Sequence, residues 1–269
     1  MIKNRYVEIS KKTNICINDI ISKPLAVCSH ERSGTHFVMN SISACTDYTS
    51  EPYINFDFDP LGSYVDFYSQ SSVNNFISLI KNIKQNGKNY CASGIIKSHH
   101  PSWIFEKALA NNLKVVYIYR KPTDVFISYW KFIYKLNWTN NLIIRSPFDL
   151  CSMKPIGKAM RYQINTYHSF FDRWADHVQN WLYLSKINPN VYTLEYDNLL
   201  NKHHDVMIDL CEYLDIKISR EIQKPSKYHN VVEGADLELK QNDLEEIVHY
   251  CTKRLEDYPL LVETFRKKS

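Results

Sequence analysis

Three short stretches of the chain combine cations, hydroxyls and an imidazole in ways that suit holding an anion and moving a proton. Arg32-Ser33-Gly34-Thr35 offers a guanidinium, two hydroxyls and backbone N–H groups around one glycine, where an apolar run gives way to helical periodicity. A helix N-terminus entered through such a turn attracts anions, because its first N–H groups lack intrahelical partners and form the positive end of the dipole. An ordinary turn with a helix cap is the plain alternative for these residues alone. Lys97 and His99 close a second apolar run. An imidazole titrates near neutral pH and can accept a proton while a lysine beside it neutralises anionic charge. Arg120 and Ser128 are eight residues apart, the first just before a helical stretch and the second about two turns into it. At a strand end that pair suits a phosphate, whereas a helix-interior serine is the plain reading of Ser128.

Other chemistries fit less well. The loop is not a Walker A sequence, since the glycine at 34 is not followed by lysine and no G-x-x-x-x-G-K-[ST] can be written. His99-His100 are strand neighbours that point to opposite faces, and no H-E-x-x-H or cysteine cluster supports a metal, so none is expected. Trp174, His177 and Trp181 recur at helical spacing and read most simply as one packed face, with His177 lining a substrate cavity as the sharper reading. Asp57, Asp59 and Asp66 lie among Tyr53, Phe56, Phe58, Tyr64, Phe67 and Tyr68. They are either solvated loop acids or an acceptor pocket that welcomes a cation.

The elements needed to position these residues are legible as apolar runs bounded by turn chemistry. Strands are expected at 25–28, 94–98, 113–119 and 191–196, and helices at 36–42, 123–136 and 198–214. Pro122 and Asp124 suit a helix start. Apolar strands alternating with helices predict an α/β domain with a central, mainly parallel sheet covered on both faces. Each polar cluster falls at the carboxyl end of an expected strand, where such sheets bind ligands.

Bulk composition narrows the field further. The 269 residues contain only 6 glycines, which excludes a glycine-rich dinucleotide fingerprint and makes Gly34 the one close-approach point in the loop. The net charge of +4 is mild and the basic residues are scattered, so neither nucleic acid nor a membrane surface is expected as partner. No signal-peptide core and no apolar run of spanning length is visible, and seven widely spaced cysteines read as reduced thiols. A cytoplasmic location is the expectation.

Taken together, the segments resemble the sulfotransferases that use 3′-phosphoadenosine-5′-phosphosulfate (PAPS). His30-Glu31-Arg32-Ser33-Gly34-Thr35-His36-Phe37 resembles the family's Y-P-K-S-G-T-T-W loop, and Lys97-Ser98-His99-His100-Pro101 its K-T-H-L-P segment. Tyr119-Arg120-Lys121-Pro122-Thr123-Asp124-Val125-Phe126-Ile127-Ser128-Tyr129 resembles R-N-P-x-D-x-x-x-S-x-Y. Trp174-Ala175-Asp176-His177-Val178 is similar to W-x-D-H-V, and Glu195-Tyr196-Asp197-Asn198-Leu199 to R-Y-E-D-L. The resemblance implies a P-loop-like sulfotransferase fold over 1–269, with a lead-in at 1–23, a motif-bearing core at 24–214 and a donor-covering, helical segment at 215–269. It implies that Arg32, Ser33, Gly34, Thr35 and His36 surround the 5′-phosphosulfate, that Arg120 and Ser128 hold the 3′-phosphate, and that Phe37 and Tyr196 contact adenine. His99 would be the general base, with Lys97 and Arg32 neutralising the departing phosphate oxygen and no metal required.

Arg32 stands where the family has lysine, Phe37 replaces tryptophan, His36 replaces threonine, and the C-terminal R-K-G-x-x-G-x-W motif is reduced to Gly234. The implied acceptor is a small soluble molecule with a hydroxyl or an amine or guanidinium nitrogen. The acids near 57–66 suggest a cationic natural product such as a saxitoxin-type alkaloid. A homodimer is the candidate assembly. A nucleotide-dependent phosphotransferase and a non-catalytic nucleotide-binding module remain the competing readings.

Overall fold

The computed structural model of the chain describes residues 25–48, 50, 54–55, 95–109, 113–139, 142–156, 166–226 and 231–266. Its centre is a parallel sheet of β1 (Leu25–Ser29), β2 (Ile54–Asn55), β3 (Ile95–Ser98), β4 (Lys114–Tyr119) and β5 (Val191–Glu195), in the spatial order β2-β3-β1-β4-β5. After β1 the described strands pass first to one side of it and then to the other. The carboxyl end of β1 is therefore the topological switch point, where a crevice opens in sheets of this kind. Register brings the other strand ends alongside: Cys28 pairs with both Ser98 and Tyr117, and Tyr119 pairs with Glu195.

Strands buried on both faces read as continuous apolar runs, and β1 and β4 do so because helices cover the sheet from either side. Alternate residues of β4 serve different cores. Val115, Tyr117 and Tyr119 join one cluster, while Val116 and Ile118 join the other. The first cluster is completed by α2 (Glu106–Leu109), α3 (Pro122–Lys135), α4 (Pro147–Ser152), α5 (Phe170–Ile187), α8 (Gln241–Leu255) and α9 (Pro259–Arg266). The second packs α1 (Thr35–Cys45), α6 (Tyr196–Asn201) and α7 (His203–Leu214) against the sheet.

Local chemistry explains the helix starts. Ser169 accepts a hydrogen bond from the Asp172 amide at 3.0 Å and donates to its carboxylate at 2.8 Å, a reciprocal cap on α5. Pro122 occupies the first turn of α3 with Asp124 beside it. Two expectations shift. The helix expected over 198–214 is divided at Lys202, which ends α6 and opens α7. The sheet also has a further strand, β2, whose two residues are too few to show any period. No described helix is long and apolar enough to cross a membrane.

Candidate active site

The loop after β1 turns on two residues with positive φ, Arg32 (65°) and Gly34 (103°). A Cβ at Gly34 would lie 2.4 Å from Tyr196 Cδ2, so both backbone and space demand glycine there. Gly34 is also the N-cap of α1, with no side-chain cap and no acidic residue in the first turn. The positive end of that helix is thus left facing the crevice. Ser33 Oγ is buried without a hydrogen-bond partner, an arrangement that calls for a ligand oxygen.

A hydroxyl relay joins this loop to the neighbouring strand. Thr35 Oγ1 lies 2.6 Å from Ser29 Oγ, which in turn lies 3.2 Å from His99 Nδ1. The same Nδ1 is 2.9 Å from the Ser29 carbonyl. A carbonyl only accepts, so Nδ1 carries the proton and Nε2 is the basic nitrogen of the ring. Lys97, two residues earlier, is buried on β3 in register with Val27.

The second cationic group gathers at the end of β4. Arg32 reaches across to donate from Nε to Ser128 Oγ at 2.9 Å and from NH1 to the Val232 carbonyl at 3.1 Å, with its guanidinium 4.7 Å from the Phe132 ring centre. Arg120 stacks 4.4 Å over the Tyr196 ring, and its Nε, 3.5 Å from Asp124, is buried without a hydrogen bond. Burial, and then the neighbouring Arg120 charge, lower the Arg32 pKa. Two like charges held close in a crevice favour an anion beside them. Phe37 is buried under the rings of Tyr196 (5.7 Å) and His203 (6.0 Å), and His36 is half-buried at the same helix start.

The structure therefore brings Arg32, Ser33, Gly34, Thr35, His99, Arg120, Ser128 and Tyr196 to the carboxyl end of the sheet. It also joins the loop after β1 to α3 through Arg32, whose side chain meets Ser128. The segment at 231–235 packs against Arg32 and α3. The Ala235 amide donates to the Lys131 carbonyl at 2.9 Å, and a Cβ at Gly234 would sit 2.6 Å from Lys131 Cβ. His177 is a buried residue beneath the site, with Nδ1 3.0 Å from Tyr117 OH. Asp57, Asp59 and Asp66 lie outside the described residues.

Sequence reasoning missed Ser29, Glu31 and Arg173. Arg173 NH2 donates to both Glu31 carboxylate oxygens, at 2.7 and 2.9 Å, and all three groups lie within or directly under the loop. Burial alone would push the Glu31 pKa up, but the Arg173 guanidinium, with smaller help from His30 and His99, holds it well below the usual carboxylate range. Burial lowers His30 to about 4 and takes His177 well below its ordinary value. Ser29 had one signal, its place as the last strand residue before the loop.

A parallel sheet with a glycine-bearing turn and a helix N-terminus at its switch point, and an oriented imidazole just past the end of the adjacent strand, is the arrangement of a P-loop-like fold. The chain belongs to the sulfotransferase domain family, whose profile matches residues 22–254. It is similar to rat sulfotransferase 2A1, 24% identical over 152 residues that cover 56% of this chain and 47% of the relative. The rabbit (Oryctolagus cuniculus) amine sulfotransferase is 25% identical over 138 residues, covering 47% of this chain and 38% of the relative. The chain thus spans about half or less of the curated relatives it matches. Among solved structures, a sulfotransferase from Alicyclobacillus acidocaldarius shares the fold with a TM-score of 0.51 at 12% identity, covering 90% of this chain and 97% of that one.

Proposed function

We propose that the protein transfers the sulfuryl group of PAPS, in line, to a hydroxyl or an amine or guanidinium nitrogen of a small soluble acceptor in the cytoplasm. The observation that carries this reading is Ser33 Oγ, buried in the loop without a hydrogen-bond partner, together with the Arg120 guanidinium at the end of β4, whose buried Nε faces Asp124 at 3.5 Å but makes no hydrogen bond. They mark two anion-accepting points in one crevice, as a donor with separate 5′ and 3′ anionic groups requires.

The donor supplies an activated sulfuryl group and leaves as 3′-phosphoadenosine-5′-phosphate (PAP). The α1 N-terminus, with Ser33, Gly34, Thr35 and His36, holds the 5′ end. Arg120 and Ser128 hold the 3′-phosphate, with Phe37 and Tyr196 beside the adenine. His99, its Nδ1–H fixed on the Ser29 carbonyl, takes the acceptor proton at Nε2. Lys97 and Arg32 neutralise charge on the departing phosphate oxygen, and the chain's own groups supply the charge stabilisation without a metal. Buried free thiols at Cys28, Cys45, Cys151, Cys211 and Cys251 suit a reducing compartment. The relatives' names divide between hydroxysteroid and amine acceptors, so both nucleophile classes stand. The cationic-alkaloid acceptor rests on Asp57, Asp59 and Asp66 alone.

A His99→Ala variant tests the assignment. It is expected to bind PAP within twofold of wild type while turnover, measured with radiolabelled PAPS against an acceptor panel, falls by about 10²–10⁴-fold. Near-normal turnover would remove His99 from the role, and wild-type activity abolished by chelators would overturn the metal-free reading. Transfer from ATP in place of PAPS would favour the phosphotransferase alternative.

A further inference from the structure

A carboxylate inside an anion-binding loop opposes the loop's purpose unless something neutralises it and puts it to use. Glu31 is buried immediately before Arg32, and its charge is balanced by the two-pronged contact from Arg173 of α5. Tyr129 OH donates to the same carboxylate at 3.4 Å. Arg173 NH1 lies 3.4 Å from His30 Nε2, while His30 Nδ1 lies 3.0 Å from the Glu31 carbonyl. That carbonyl only accepts, so Nδ1 carries the proton and Nε2 is left to accept from the guanidinium. Two consecutive loop residues, 30 and 31, are thereby tied to one helix just ahead of the positive-φ turn at Arg32 and Gly34.

The same helix face continues to the base. His177, four residues after Arg173, has Nε2 3.2 Å from the His99 carbonyl and 3.2 Å from the His100 carbonyl, and Trp181 Nε1 donates to the His100 carbonyl at 3.3 Å. Trp174 and Trp181 anchor α5 in the core, so the helix is a rigid reference for both segments. A buried ion pair adds little net stability compared with an apolar pair of similar size. Its value here is geometric, because misplacement of about 1 Å at a reacting centre costs on the order of 100-fold in rate.

We infer that Arg173 is a positioning residue: through Glu31 it holds loop 30–34 in its anion-cradling shape, and with His177 it sets that loop against His99. The inference rests on the donor reading above, and the experiment separates the two. Calorimetric binding of PAP and of adenosine 3′-monophosphate is compared, since only PAP carries the 5′-phosphate that the loop would grip. The double variant Glu31→Gln/Arg173→Met removes both charges together and so avoids leaving one buried and unpaired. It is expected to unfold thermally within a few degrees of wild type, to bind PAP about tenfold more weakly, and to bind adenosine 3′-monophosphate unchanged. Arg173→Lys keeps the charge without the fork and is expected to lose about threefold for PAP alone.

Equal weakening of both ligands, or PAP affinity within twofold of wild type in the folded double variant, would overturn the positioning role. If the double variant does not fold, Arg173→Lys decides by the same ratio. Wild-type protein that fails to bind PAP would instead defeat the donor reading itself.

Discussion

The two faces of the sheet are built from the same strands but to different rules. On the face covered by α3, α4, α5, α8 and α9 the core is aromatic, with Tyr117, Phe126, Phe171, Trp174 and Trp181 fully buried. Buried ionisable groups lie among them: Glu31, Arg173, His30 and His177. On the face covered by α1, α6 and α7 the core is mainly aliphatic, with Val27, Val38, Ile42, Ile118, Leu194 and Leu210, and its buried imidazole, His203, contacts Ser41 at 3.0 Å. The difference follows from what each face supports. The aromatic face lies directly under the loop and His99, so groups that can hydrogen-bond the backbone there are buried with it. The aliphatic face seats the α1 helix itself, for which apolar packing is enough.

Removing one charge from the aromatic face gives the largest expected effect. Arg173→Met strands Glu31 as an uncompensated buried carboxylate, and a loss of about 3–5 kcal/mol in urea unfolding is expected. A loss below 1 kcal/mol would mean that the loop relaxes to hydrate Glu31, and the contrast between the faces would collapse.

Acid sharpens the comparison next. The folded-state pKa of His30 is lowered to about 4, and that of His177 also lies below its ordinary value, so the unfolded chain takes up these protons first. Their contribution is complete above about pH 6.5 and declines as pH falls toward 4, by about 1.4 kcal/mol per pH unit for each imidazole. Glu31 is shifted the other way round in its charge, being held ionised. Its contribution persists above the ordinary carboxylate range and is lost only as pH drops further. Unfolding free energies measured from pH 7 to 5 should therefore slope downward. His177→Gln should flatten that slope more than His203→Gln on the opposite face, where burial shifts the imidazole in the same direction. A flat profile in wild type would contradict the buried, neutral histidines.

Much of this architecture was legible in local sequence. Apolar runs marked β1, β3, β4 and β5, and Pro122 with Asp124 marked the start of α3. The polar residues gathered at the strand ends were legible too, because they close apolar runs in the sequence, as Arg120 does just before α3. What escaped were pairings across the fold. Glu31 and Arg173 are 142 residues apart, and no local pattern connects them. Glu31 stands where the resembled loop carries proline, and in place of a ring it has the contact with Arg173. Ser29 escaped for a related reason, since its hydroxyl and carbonyl gain meaning only once β3 lies alongside β1 and delivers His99. The break at Lys202 likewise depends on packing: His203 turns back to meet Phe37 and Ser41.

The smallest and most local comparison uses two neighbours on β4. Tyr117 points to the aromatic face, where its hydroxyl lies 3.0 Å from His177 Nδ1, and Ile118 points to the aliphatic face. His177 donates from Nε2 to the His99 and His100 carbonyls, so Nδ1 must accept from Tyr117 OH. Tyr117→Phe preserves the ring but leaves that nitrogen buried without a donor, at a cost of about 1–3 kcal/mol. Ile118→Val removes one methylene from a packed site and costs about 0.5–1.5 kcal/mol. The two losses overlap in size, so the discriminating measurement is where each appears. Because His177 bears on the His99 carbonyl, Tyr117→Phe should also lower turnover at unchanged PAP affinity, whereas Ile118→Val should touch stability alone. If both variants leave turnover untouched, the aromatic face is only a core, and its buried polar groups serve folding and not the site above them.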